Sequence, residues 1–196
     1  MARVIANAAV SLDGFVARPT DDPGPLFDFY ENGSVEFFGD PERVFHVTQP
    51  SADYMGSIWS RVRASIIGRH LFDITDGWRG RPAVGDHVFV VTHTPPADWR
   101  WAEGAPFTFV TDGLESAVAQ ARSFAGDEFV AFTAGGLLGQ ALRLGLIDEL
   151  SLQLVPVVLG TGVRFFGDYA GPEILFDNPR VVEGDRVTHL HYVLTA

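Results

Sequence analysis

The sequence predicts an α/β fold: helices on both faces of a mostly parallel central sheet, with antiparallel strands from a C-terminal hairpin at one edge. Three observations carry that expectation. Short apolar runs rich in β-branched and aromatic residues alternate with stretches of helical periodicity, the pattern of a parallel sheet with crossover helices. Phe129 to Gly162 reads as a strand, a Gly-Gly turn, a short helix and a second strand. The chain closes with two strand-like runs, Glu173 to Val182 and Arg186 to Thr195, joined by Glu183-Gly184-Asp185 as a hairpin loop.

Taken in order, Arg3 to Val10 is a buried first strand, and Asp13-Gly14 in SLDGFVA marks a turn. Residues 18 to 50 hold many prolines, glycines and aromatics and read as one long irregular segment. Loops of that length in compact domains are usually functional, and Pro25 to Phe45 is a candidate substrate wall or lid. Ser51 or Asp53 is placed to cap a helix running to about Arg63, before a second strand at Ala64 to Ile67. Gly68 then leads into a short helix from Arg69. His87 to Thr92 is a third strand, ended by Pro95-Pro96, and Phe107 to Thr111 a fourth. Asp112 is the expected cap of a helix from Leu114 to Phe124, whose Leu114, Ala117, Val118, Ala121 and Phe124 share one face. Phe129 to Thr133 is a buried strand, Leu137 to Leu144 a helix, and Gly145 suits the left-handed position that ends it. Leu150, Leu152 and Leu154 alternate with Ser151, Gln153 and Val155 along the next strand. With no internal repeat and no break in composition, residues 1–196 read as one domain.

Composition narrows the chemistry. The formal net charge is −11 and all 14 basic residues are arginine. Such a surface repels nucleic acid and anionic lipid, so an anionic ligand must be held by local groups. The absence of lysine excludes a lysine Schiff base, and the absence of cysteine excludes disulfides and thiolate metal sites. No apolar run approaches the roughly 20 residues that cross a bilayer, and the first residues lack a signal-peptide layout; a cytoplasmic location is expected. His189 and His191 alternate on one strand as metal ligands can, but no third ligand lies beside them, and no metal is expected.

The Gly135-Gly136 turn, between a strand and a helix N-terminus, is a phosphate-binding arrangement because free N–H groups and the helix dipole both favour an anion. Asn7 interrupts the apolar IANAAV, so it requires a hydrogen-bond partner, from the protein or from a ligand. Gln153 makes the same demand in its own strand. Asp13 is either an ordinary Asp-Gly turn residue or a carboxylate at the mouth of a site. The Asp148-Glu149 pair suggests either acid–base work or, more simply, a helix-to-strand junction.

Four segments occur in a telling order: SLDGFVA after strand one, IIGRHLFD after strand two, VFVVTHTPP at strand three, and DELSLQLVPVVLGTGVRFF after the Gly-Gly helix. Together they resemble the C-terminal reductase domain of bifunctional riboflavin-biosynthesis enzymes, and more broadly the dihydrofolate-reductase-like fold, a three-layer αβα arrangement. The resemblance spans nearly the whole chain, most loosely over residues 18 to 60. It implies an NADPH-dependent reductase that passes hydride to a small heterocyclic (pteridine- or pyrimidine-like) or carbonyl substrate, and it implies a homodimer. It places Gly68, Arg69 and His70 against the cofactor phosphates, and Thr92, His93 and Thr94 at the adenosine ribose and its 2′-phosphate. Thr133, Ala134, Gly135, Gly136, Leu137 and Leu138 fall along the pyrophosphate and nicotinamide, with Val16 and Ala17 beside them. Asn7, Gln153 and Asp13 become the candidate catalytic-site residues. The proline-tryptophan pair of true dihydrofolate reductases is missing from SLDGFVARPT, which argues against folate. Asp53, Asp40 and Glu42 are the carboxylates near the segment that supplies the substrate-holding acid in those enzymes. The alternative reading is a non-catalytic nucleotide-binding protein, a sensor or degenerate paralogue.

Overall fold

The structure, a computed structural model, describes residues 1–40 and 43–194. It opens with β1 (Arg3–Ser11) and a short β2 (Phe15–Ala17), then a 3-10 segment at Gly24–Glu31. A hairpin of β3 (Val35–Asp40) and β4 (Arg43–Val47) precedes α1 (Gln49–Trp59), β5 (Val62–Gly68) and α2 (Arg69–Thr75). Next come β6 (His87–Val91), β7 (Phe107–Val110), α3 (Leu114–Ala125), β8 (Phe129–Phe132), α4 (Gly136–Arg143) and β9 (Glu149–Val155). A short β10 (Val163–Arg164) and the terminal pair β11 (Arg180–Gly184) and β12 (Val187–Val193) complete the chain.

Eight strands form one sheet in the order β11-β12-β9-β1-β8-β5-β6-β7. The pairings from β9 to β7 are all parallel, and β12 runs antiparallel to both β9 and β11. Alternation along the strands divides the core into two layers. Val4, Ala6, Ala64, Ile66, Phe89, Val130 and Phe132 pack against α3 and α4 on one face. On the other face Ile5, Ala9 and Phe129 meet Tyr54, Met55 and Ile58 of α1, while Ile67, Val88 and Val90 meet Phe72 of α2. The predicted three-layer αβα fold with a mostly parallel sheet and an antiparallel C-terminal edge is the one observed.

The chain leaves β1 toward β5 on one side, and leaves β8 toward β9 on the other, passing β1. Neighbouring β1 and β8 therefore flank a switch point, where open parallel sheets leave a crevice beyond the carboxyl ends of the strands.

Several local expectations are corrected. Residues 18 to 50 are not one irregular segment; the 3-10 turn and the β3–β4 hairpin organise them around Tyr30, whose ring packs on Phe29 and Phe45. Thr48, not Ser51 or Asp53, holds the N-cap position of α1. Ser51 instead turns its hydroxyl to His189, and α1 ends at Trp59 because β5 begins at Val62, earlier than expected. Gly113 with φ +107 caps α3; Asp112 accepts from the Ser116 hydroxyl one turn on. On α3 the buried face ends on Ala125, while Phe124 is half exposed beside His87. Residues 172 to 179 carry no strand, Glu183 and Gly184 pair within β11, and the hairpin turns at Asp185-Arg186, with Arg186 at φ +55. Thr195, the expected end of the last strand, and Glu42 lie outside the described residues. Gly145 does take the left-handed conformation at the end of α4, φ +64.

Candidate active site

The crevice at the carboxyl edge collects the ends of β1, β5, β6, β8 and β9. Its rim beyond β1 is built by β2, which pairs antiparallel with β10: Val163 faces Ala17 and Arg164 faces Phe15. The two strands approach so closely that a Cβ on Gly162 would fall 1.9 Å from the Ala17 carbonyl oxygen. That contact holds Val16 and Ala17, both half-buried, at the crevice.

Asp13 joins this rim to the β9–β10 loop. Its carboxylate accepts from the Ser11 hydroxyl (2.6 Å), from the Leu159 N–H (3.1 Å) and from the Gly160 N–H (2.7 Å). These donors, Ser11 first, lower its pKa to about 2. Asp13 is an ionised loop anchor at neutral pH and carries no proton to give.

On the other wall the strand-two and strand-three segments meet. Arg69 opens α2; its Nε donates to Asp73 (2.7 Å) and its Nη1 to the Thr94 carbonyl, tying the end of β5 to the end of β6. Thr92, buried, accepts the Thr94 N–H on its hydroxyl (3.3 Å) and donates to the Thr94 carbonyl (2.9 Å), so Thr92-His93-Thr94 forms a tight turn with His93 and Thr94 exposed. His70 is 73% exposed and sits 2.9 Å from Asp21, in the loop after β2. Asp21 and Asp73 therefore already sit beside the two candidate phosphate-facing groups.

The Gly-Gly turn follows β8. The Thr133 N–H donates to Ile66, within the sheet. Gly135 has φ +96, and its N–H donates to the Phe165 carbonyl (2.8 Å), so it is not open to a ligand. The chain's own 165–167 segment backs this turn: a Cβ on Gly167 would lie 2.5 Å from Gly136 Cα. Gly136 is exposed, and a Cβ there would meet nothing within 4 Å, so that side of the turn has room. Leu137 reaches across to Gly68, within 3.9 Å of where a Cβ would stand, and Leu138 is fully buried behind it. One guanidinium, one imidazole and threonine hydroxyls, with the start of α4 beside them, form a donor set that fits a phosphate-bearing nucleotide.

Asn7 and Gln153 are brought together. They project from adjacent parallel strands β1 and β9 on the face covered by α1, and Gln153 Nε2 donates to Asn7 Oδ1 (2.6 Å) and to Ser151 Oγ (3.2 Å). The Tyr54 hydroxyl lies 2.7 Å from Ser151 Oγ. Burial raises the Tyr54 pKa, so the phenol stays protonated. His189, opposite Gln153 on β12, stacks on Tyr54 with ring centroids 4.6 Å apart and places Nε2 2.9 Å from Ser51 Oγ. Desolvation lowers the His189 pKa to about 4, leaving it neutral. His191 pairs with Glu149, which also meets Arg3 at 2.7 Å; the two histidines thus have separate protein partners. Asp148 accepts from the Val4 N–H (2.6 Å) and from Arg122 (2.8 Å), fixing the junction before β9.

Sequence reasoning missed Tyr54, Ser51, Ser151, Asp21 and Asp73 as parts of this region. Ser151 carried a signal, since it is a polar residue two positions from Gln153 on the same strand face. Tyr54 and Ser51, three apart on α1, also share a face. Asp21 carried none, because only the folded loop brings it to His70.

The RibD C-terminal domain family model matches residues 2–181. A putative riboflavin biosynthesis protein from Shewanella sp. PV-4 superposes with a TM-score of 0.73 at 22% identity, each chain covered completely. RibD from Acinetobacter baumannii gives 0.64 at 15% identity; this chain is fully covered and spans 59% of that one. Dihydrofolate reductase from Enterococcus faecalis, complexed with NADP(H) and RAB-propyl, gives 0.57 at 16% identity, covering 99% of this chain and 97% of that one. These similarities show a dihydrofolate-reductase-like fold. A comparison with curated proteins found no match.

Proposed function

The chain belongs to the RibD C-terminal domain family, and from that premise we propose that it is an NADPH-dependent reductase passing hydride to a small heterocyclic or carbonyl substrate. The observation that carries this reading is convergence. Gly68 to His70, Thr92 to Thr94 and Thr133 to Leu138 lie at the ends of β5, β6 and β8, which are neighbours in the sheet, and the Asn7–Gln153 amide pair stands next to them on β1 and β9. The reductases among the fold's relatives support the same activity, and the dihydrofolate reductase solved with NADP(H) supports a nicotinamide cofactor.

In this reading Arg69, His70 and the Gly136 amide hold the phosphates, Thr92 to Thr94 receive the adenosine ribose, and Leu137 and Ala134 line the nicotinamide. When bound, the reduced nicotinamide supplies the hydride. The residues of the chain orient the acceptor carbon and exclude water. Asp13 cannot donate the accompanying proton, which comes from water. The protein works in the cytoplasm, as one domain, and pairs as a homodimer through its terminal strands; β11 is the outermost strand of the sheet, and its Val181 is 52% exposed. No described helix is long and apolar enough to cross a membrane.

Titration with NADPH and NADH, followed by turnover assays with pteridine and ribosylamino-pyrimidine substrates, tests the proposal. Preferential NADPH binding with consumption of the reduced cofactor is expected. Tight NADPH binding with no turnover on any substrate would favour the sensor instead.

A further inference from the structure

The hydrogen bonds around Gln153 leave a specific remainder. Two side-chain amides that only served each other would close a two-bond pair, each donating once and accepting once. Asn7 and Gln153 make one of those bonds, Gln153 Nε2 to Asn7 Oδ1. The second N–H of Gln153 is drawn to Ser151 Oγ, itself held by the Tyr54 hydroxyl. Tyr54 and Ser151 thus act as positioning residues that hold the Gln153 amide open. Gln153 is 2% exposed, and its Oε1 is buried with no partner. Asn7 is half-buried and its Nδ2 has no partner among the described residues. One acceptor and one donor therefore remain on neighbouring strands.

Resting on the reductase reading, we propose that Asn7 and Gln153 are a specificity edge that reads a cis-amide, an N–H beside a C=O, on the bound ligand. The ligand N–H donates to Gln153 Oε1, and the ligand C=O accepts from Asn7 Nδ2. A simple ketone or aldehyde leaves the buried Gln153 oxygen without a donor, and a carboxylate sets negative charge against it; both are disfavoured. Turning both amides over exchanges donor and acceptor and keeps the edge complementary to an amide. The chemistry selects a neutral lactam or carboxamide, which either the acceptor heterocycle or the nicotinamide carboxamide supplies.

The experiment is calorimetric titration of wild type, Gln153→Met and Tyr54→Phe with two probe pairs. Pyrimidin-4-one against its ring-N-methyl derivative reads the substrate arm. NADPH against its reduced acetylpyridine analogue, which lacks the amide N–H, reads the cofactor arm. The expected wild-type preference for the amide-bearing member of one pair is about 10- to 100-fold, falling below about threefold in Gln153→Met and to an intermediate value in Tyr54→Phe. Whichever ratio collapses identifies the source. Each ratio is read within one preparation, so partial unfolding of a variant cancels.

Unchanged ratios in Gln153→Met, or no wild-type preference in either pair, overturn the proposal. The orphaned oxygen would then be served by a buried water only. Failure of NADPH to bind, with the pyrimidinone ratio still collapsing, sinks the reductase reading and leaves the amide edge standing. No binding of any probe overturns both.

Discussion

Replacing Arg69 with alanine removes a guanidinium whose Nε is held by Asp73 at 2.7 Å and whose Nη1 is held by the Thr94 carbonyl. Two of its five N–H donors are already occupied, and the side chain is 36% exposed. A charge-assisted hydrogen bond contributes about 1.5–3 kcal/mol; exposure and the competing carboxylate argue for the lower end. About 1.5 kcal/mol corresponds to roughly tenfold in affinity. Arg69→Ala should therefore weaken NADPH about tenfold and NADH by less than about twofold, if this fork meets the 2′-phosphate. Asp73→Asn removes the competitor and should tighten NADPH about threefold. The helix loses only an i,i+4 pair of about 0.5 kcal/mol, so the melting curve should barely move. Titrations at fixed ionic strength provide the measurement. Equal weakening of both nucleotides would leave Arg69 a pyrophosphate or structural role only, and no weakening of either would remove Arg69 from the cofactor site.

Three further outcomes are expected. His189 is neutral when folded, with a pKa near 4 against 6.5 unfolded; the unfolded chain binds the extra proton, so this contribution is complete above pH 6.5 and lost as pH falls toward 4. It amounts to about 3 kcal/mol, and urea unfolding across that window should show a shallower acid loss in His189→Gln than in wild type. Gly162→Ala would drive a Cβ to 1.9 Å from the Ala17 carbonyl at a backbone φ of +152; a loss of about 3 kcal/mol and weakened cofactor binding should follow, and an unchanged melting temperature would contradict the β2–β10 packing. Asp13→Ala should speed hydrogen exchange at the Leu159 and Gly160 amides, while the wild-type pH–rate profile near neutrality shows no limb from Asp13, already ionised far below that range; slow exchange at both amides in the variant would show that Asp13 does not anchor the loop.

The layers of the fold were legible because period-two and helical patterns are local properties of the chain, strongest at β1, β6, α3 and the β8–α4–β9 unit. The β3–β4 hairpin was not: its aromatics suit both a strand and a collapsed loop, and its pairing is set by contacts such as Phe37 on Trp59. Helix starts were misplaced where a cap residue had another use, as with Ser51 on His189. In the site, Asn7 and Gln153 were found because a polar residue in an apolar strand must have a partner, and each proved part of the other's answer. What the sequence did not carry was the third dimension of those bonds: the Tyr54–Ser151 hold on Gln153, and the carboxylates already sitting on Arg69 and His70.

The central claim is that the carboxyl edge of this sheet binds NADPH and directs its hydride to an acceptor. Rapid mixing of the NADPH-loaded protein with a ribosylamino-pyrimidine, followed by loss of the reduced-nicotinamide signal and mass analysis of the product, tests it most directly. The account predicts a reduced product in equal amount to the cofactor oxidised, with NADH clearly poorer. A protein that binds neither nucleotide, or that oxidises neither in the presence of any acceptor of the panel, would contradict it.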